Sequence, residues 1–232
     1  MLSIVGGWGN REDSLPATVD RLQRSLNRAP DEPEKYGAWG FWRRQEADEN
    51  SDLTFVPIDV NDSETLGAVI TTATEQVRRG PNTAPGLYVD LSRPALSQAA
   101  ETSPGWYQYT ARVGFVDRPR PHNRVTFGVD DSIDERMLMG YMSALVEAWQ
   151  PDHLGSVTIE TLRAQGHKGP GPVVGRLTYV RDGTPLNTNA LGDEVHVAEA
   201  DGGRYIRVPG TPTDPSLEHI LEVRRALGYE TA

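Results

Sequence analysis

The 232-residue chain contains no cysteine, which excludes disulfides, thiolate zinc sites, iron–sulfur ligation and a cysteine nucleophile. That absence fits a reducing compartment, and a cytoplasmic location is expected. Lysine is nearly missing as well: Lys35 and Lys168 are its only occurrences, so the basic side chains are almost all arginine. No apolar run approaches the roughly 18 residues of a membrane helix, so no membrane association is expected. The apolar opening Met1–Val5 is short and lacks a basic flank, and it reads as a first strand, not a signal peptide. Catalytic signatures are also lacking. GGWGNR, from Gly6 to Arg11, falls between a strand and a helix but does not have G-x-G-x-x-G spacing, and neither a Walker-type loop nor a G-x-S-x-G elbow occurs. His122, His153, His167, His196 and His219 are scattered, so no metal, cofactor or catalytic residue is assigned. The acidic pairs Asp130–Asp131 and Asp134–Glu135 fall at a helix start, where the helix dipole alone favours them.

Burial material is ample, with five Trp and eight Tyr, and the 23 Gly and 17 Pro imply many turns. The formal net charge of −10 argues against direct nucleic-acid binding, which calls for a positive footprint. The acid is unevenly spread. Between Arg44 and Arg78 there is no base, while Glu46, Asp48, Glu49, Asp52, Asp59, Asp62, Glu64 and Glu75 supply negative charge. A second base-free interval, from Arg181 to Arg204, holds Asp182, Asp193, Glu194, Glu199 and Asp201. Such stretches serve solubility, and they also steer a protein toward a basic partner.

Hydrophobic spacing predicts a strand at Leu2–Val5, a turn at Gly6–Gly9 and a helix over Ser14–Asn27 with Leu15, Val19, Leu22 and Leu26 on one face. Strands follow at Trp39–Arg43 and Leu53–Asp59, then a helix over Asp62–Arg79 opened by Asn61 and Glu64. Further strands are expected at Leu87–Leu91, Tyr107–Phe115 and Arg124–Val129, and a helix from Ser132 and Glu135 to Trp149. The last third reads as strands at Ser156–Leu162, Val173–Val180, Glu194–Ala198 and Arg204–Val208, closed by a helix with Asp214 as cap and Pro215 as its first residue. The whole predicts an α+β fold, a largely antiparallel central sheet flanked by about four helices. One domain over residues 1–232 is expected, with two similar packed halves, about 1–92 and 106–232, as the alternative suggested by the parallel between TFVPIDVNDSETL and RVTFGVDDSIDERM.

Trp39 and Trp42 lie three positions apart in one strand, so at most one faces the core. Trp39 would share a face with Phe41, which leaves Trp42 as the exposed ring. Trp42 with Glu46, Asp48, Glu49 and Asp52 is therefore the candidate partner-binding set, an aromatic anchor beside a charged rim.

Several motifs carry a family likeness. IVGGWGNREDSLPATVDRLQRSL, with Trp8, Gly9 and Arg11, resembles the opening of the immunity protein 52 family, and ALVEAWQPDH is similar to its Trp-x-Pro helix end at Trp149 and Pro151. VVGRLTYV resembles its Val-Gly-Trp-x-x-Tyr strand at Val174, Gly175 and Tyr179, with Arg176 where the family pattern has Trp. The closing segment resembles its Gly-Gly strand and terminal helix at Gly202, Gly203, Asp214, Pro215 and His219. The resemblance implies a bacterial cytoplasmic immunity protein of a polymorphic toxin system, served by type VI or other contact-dependent secretion. It would neutralise a cognate toxin, chiefly a restriction-endonuclease-like and hence basic nuclease, by stoichiometric binding without catalysis, and the matched residues would be structural. The rival reading is an enzyme acting on a small molecule at the Gly6–Arg11 turn.

Overall fold

The computed structural model describes residues 1–44, 53–78, 86–96, 106–116, 123–166 and 172–229. The strands are β1 (Leu2–Trp8), β2 (Gly40–Arg44), β3 (Leu53–Pro57), β4 (Leu87–Pro94), β5 (Trp106–Val113), β6 (Asn123–Val129), β7 (His153–Val157), β8 (Leu177–Arg181), β9 (His196–Ala200) and β10 (Gly203–Arg207). They form one antiparallel sheet in the order β3-β2-β4-β5-β6-β1-β7-β8-β10-β9. The helices are α1 (Leu15–Arg28), α2 (Ser63–Arg78), α3 (Glu135–Trp149), α4 (Ile159–Ala164) and α5 (Leu217–Ala226). The α+β class is as expected, with five helices among the described residues where about four were anticipated.

Strand alternation divides the core. Leu2, Ile4, Tyr107, Tyr109, Phe127 and Val129 project to the face covered by α1, α2 and α3. At the other end of the sheet Tyr179 and Tyr205 join that core, while their neighbours Val180 and Ile206 project oppositely and pack under Ile220, Val223 and Leu227 of α5. The sheet is thus covered on opposite faces at its two ends. Over β4, β5 and β6 the face away from α1–α3 carries Asp90, Gln108, Thr110, Arg112, Arg124 and Thr126, all exposed or half-buried, because the alternate residues are the apolar ones.

Local chemistry sets the helix ends. Ser14 caps α1 by accepting from Ala17 N at 3.3 Å, and Pro16 falls in the first turn, which needs no amide donor. Three expected caps move. Asp62, not Asn61, accepts from Glu64 N and Thr65 N, and Asp134, not Ser132, accepts from Met137 N at 2.7 Å. Ser216 precedes α5, because Pro215 is held in a bridge with Gly210.

Several strand boundaries also differ from expectation, β4 for instance running on to Pro94 and β7 starting at His153. β1 runs through the predicted turn to Trp8; Gly6 is there because a Cβ would come within 2.5 Å of the His153 carbonyl, so its absence admits β7 alongside. The expected strand Ser156–Leu162 stops at Val157, where Thr158 and Thr161 form a reciprocal capping box that starts α4. Val173–Gly175 is buried but not a strand: Val174 N and O bond the Gln165 side chain at 3.0 and 2.6 Å, and Gly175 presses so closely on the Ser156 backbone that no side chain fits.

Arg176, the departure from the family pattern, is nearly buried and forms an ion pair with Glu135 at the start of α3, which Arg207 also reaches at 3.0 Å. Burial pushes the Glu135 carboxyl up, but the two guanidinium groups outweigh it and hold it below its ordinary value. A depressed carboxylate stabilises the fold above its unfolded pKa and loses that contribution as pH falls through the folded one. Thermal melts of wild type and Glu135→Gln should therefore differ most near neutral pH, with wild type higher, and converge as the pH falls through the depressed pKa of folded Glu135, below the ordinary glutamate range.

Candidate partner-binding surface

The two sequence motifs at opposite ends of the first core meet in space. Trp8 stacks on Trp149 with ring centroids 5.7 Å apart, and Trp149 Nε1 donates to the Tyr109 hydroxyl. Arg11 lies 4.6 Å over the Trp8 ring and donates to the Trp149 carbonyl at 2.8 Å, while Arg21 donates to the Ala148 carbonyl at 2.8 Å. Both arginines are paired with buried Asp13, so a cationic pair closes the C-terminal end of α3, where carbonyls lack helical partners. Gly9 N donates to Asp152 at 2.8 Å, and Pro151 is buried beside it. In this arrangement the Gly6–Arg11 segment joins β1 to α3.

The other matched residues hold the far end of the sheet. Tyr179 donates to the Asp201 carbonyl at 3.0 Å across the turn where Gly202 and Gly203 lead into β10. His219 Nδ1 is 2.7 Å from the Ser216 hydroxyl, and its Nε2 is 3.5 Å from Glu194. Among the described residues no group of three His, Asp or Glu is arranged to hold a metal ion, and no helix is long and apolar enough to cross a membrane.

Trp42, the described member of the candidate binding set, lies on β2, toward the opposite end of the sheet. Trp39 is buried, edge-on to Tyr109 at 6.3 Å and 6.0 Å from Phe127, whereas Trp42 is 40 % exposed. Trp42 lies opposite Phe55 in the β2–β3 pair, with the rings 5.3 Å apart and near-perpendicular, a favourable cross-strand pair. Leu53, two positions from Phe55 on the same strand face, is 54 % exposed. Glu46, Asp48, Glu49 and Asp52 lie outside the described residues, in the stretch that joins β2 to β3.

Beside this aromatic patch opens a cleft of about 1020 Å³. It exists because β2 pairs with β4 only at Gly40 and Ser92 and then leaves it, while β4 pairs with β5 along all eight of its residues. Trp42, Arg43 and Leu53 of β2 and β3, Thr72, Gln76 and Val77 of α2, and Tyr88, Asp90, Arg112 and Arg124 of β4, β5 and β6 are among the residues that line it. Sequence reasoning missed these sheet residues; no local signal marks them, since they meet only through strand register.

No family model matches the chain, and no curated protein matches it. Among solved structures the chain is similar to a Pseudomonas aeruginosa T6SS protein, PA0821, at 10 % identity and a TM-score of 0.57. The superposition covers 98 % of this chain and 75 % of that one, so the likeness takes in the whole α+β architecture. At that identity it is a likeness of fold.

Proposed function

We propose that this protein is an immunity-type protein of a secretion-associated toxin system, which neutralises a cognate toxin by binding it. The observation that carries this reading is the exposed Trp42 with Phe55 and Leu53, an apolar anchor at the edge of a segment rich in carboxylates. Partly exposed Trp amid charge is the composition of a binding hot spot with its rim. The fold likeness to a T6SS protein and the immunity protein 52-like motifs support the same reading. A net charge of −10 suits a basic toxin domain, such as a nuclease that must present positive charge to phosphates, and suits poorly a protein that binds nucleic acid itself. The reading requires no catalytic group, and it places the protein in the cytoplasm, where such a toxin would act.

The test is gel filtration and stopped-flow binding with the basic toxin domain encoded beside the gene. A stable complex is expected. Replacing Asp48, Glu49 and Asp52 together by Asn, Gln and Asn should slow association several-fold at low salt and flatten its salt dependence, with dissociation little changed. The reading fails if no complex forms with any toxin domain so encoded. An unaltered association rate would remove this segment from the interface.

A further inference from the structure

Arg112 of β5 and Arg124 of β6 stand directly opposite each other in register, on the open face of the sheet. Like charges so placed repel. Burial and the neighbouring Arg112 pull the Arg124 guanidinium below its ordinary value. Several arginines elsewhere are neutralised, Arg11 and Arg21 with Asp13, Arg93 with Asp31, Arg176 and Arg207 with Glu135, and Arg181 with Asp152, whereas others such as Arg136 and Arg163 stand singly without an ion pair among the described residues; Arg112 and Arg124 differ in being two cations set opposite each other. Among the described residues neither Arg112 nor Arg124 has a carboxylate within ion-pair distance. The acid best placed to help, Asp90, lies one register step away, opposite Thr110, and makes no ion pair with either arginine. Arg112 instead lies 5.5 Å over the Tyr88 ring, an arrangement that orients a guanidinium without neutralising it.

Both arginines line the same cleft as Trp42 and Leu53, and Arg43 adds a third cation to it. We propose that this cleft holds a carboxylate-bearing segment of the partner protein, with an Asp or Glu side chain bridging Arg112 and Arg124 and an adjacent apolar side chain against Trp42. Charge complementarity selects the occupant: a planar guanidinium pair matches carboxylate oxygens through paired N–H donors. Nucleic-acid phosphate would meet the same donors, but the overall charge of −10 opposes it. The proposal rests on the toxin-binding reading and adds to it the part of the toxin that is held. The acidic stretch would steer the encounter with a basic surface, and the arginine pair would then fix its register by a local charge of opposite sign.

Two measurements separate this proposal from the reading beneath it. In a titration of the 15N-labelled protein with tetraglutamate, the Arg112 and Arg124 side-chain Nε–H signals and the Trp42 indole should shift saturably, and tetralysine should leave them unmoved. Arg112→Gln with Arg124→Gln should abolish the Trp42 indole shift and weaken toxin binding roughly tenfold or more. The same double variant should melt no lower than wild type, since it relieves repulsion; a purely structural pair would make it melt lower. Toxin binding unchanged in the folded double variant overturns the cleft proposal and leaves the toxin reading standing. Shifts with tetraglutamate but no toxin complex leave the carboxylate site standing and remove the toxin. Saturable binding of duplex DNA that the double variant loses, with tetraglutamate inert, overturns the proposal in favour of nucleic acid.

Discussion

Trp42→Ala should weaken toxin binding by about 2–4 kcal/mol, roughly 30- to 1000-fold in Kd, while leaving the melting temperature nearly unchanged. The asymmetry follows from position. Trp42 is 40 % exposed, packs edge-on with Phe55 and is not part of the main hydrophobic core, so its removal uncovers little of that core. Trp39, three residues earlier, is in contact distance of Tyr109 and Phe127 in the main core, and Trp39→Ala should show the opposite pattern, a loss of about 3–5 kcal/mol in folding. Isothermal titration and thermal melts on the two variants separate the roles. If both lose stability and neither folded variant loses affinity, the binding surface lies elsewhere.

Trp149→Ala should be the most damaging single truncation in the fold, costing about 3–5 kcal/mol. For a chain of this length that corresponds to a fall of roughly 6–20 °C in melting temperature. Trp149 is fully buried, stacks on Trp8 and donates to the Tyr109 hydroxyl, which in turn meets the Ser25 hydroxyl of α1 at 2.8 Å. Its loss leaves a large cavity and shortens a buried hydrogen-bonded chain that ties α3 to the sheet and to α1. Burial has already pushed the Tyr109 phenol above its ordinary value, so that hydroxyl stays neutral and depends on its remaining partner. Differential scanning calorimetry checks this; a fall of only a degree or two would mean the cluster is not the keystone described here.

What the sequence reveals depends on the range of the interaction. Leu15, Val19, Leu22 and Leu26 with Ser14 before them define α1 without any tertiary information, since spacing and cap are both local. The alternation at Trp39 and Trp42 likewise separates a buried ring from an exposed one. Where a tertiary contact overrides local preference, the reading slips. Gly6 and Gly7 look like a turn until β7 is seen to need the room, and the β-branched run Val157-Thr158-Ile159 looks like a strand until Thr158 and Thr161 cap a helix. Partners distant in sequence are not legible at all. Nothing local indicates that Trp8 will stack on Trp149, which depends on β1 entering the sheet between β6 and β7, or that Arg112 and Arg124 will face each other, which depends on the register of β5 against β6. Of the cleft, the exposed ring of Trp42 could be read from alternation in the strand, and the arginines opposite each other on β5 and β6 could not.

On the proposed reading the protein acts by occupying its partner, not by chemistry. The most direct test is titration of the toxin domain's activity against increasing amounts of this protein, read at several incubation times. Occupancy predicts a linear fall that reaches zero at a fixed molar equivalence and does not change with time. Inactivation that proceeds with time at a small fraction of an equivalent would mean turnover, and would contradict it.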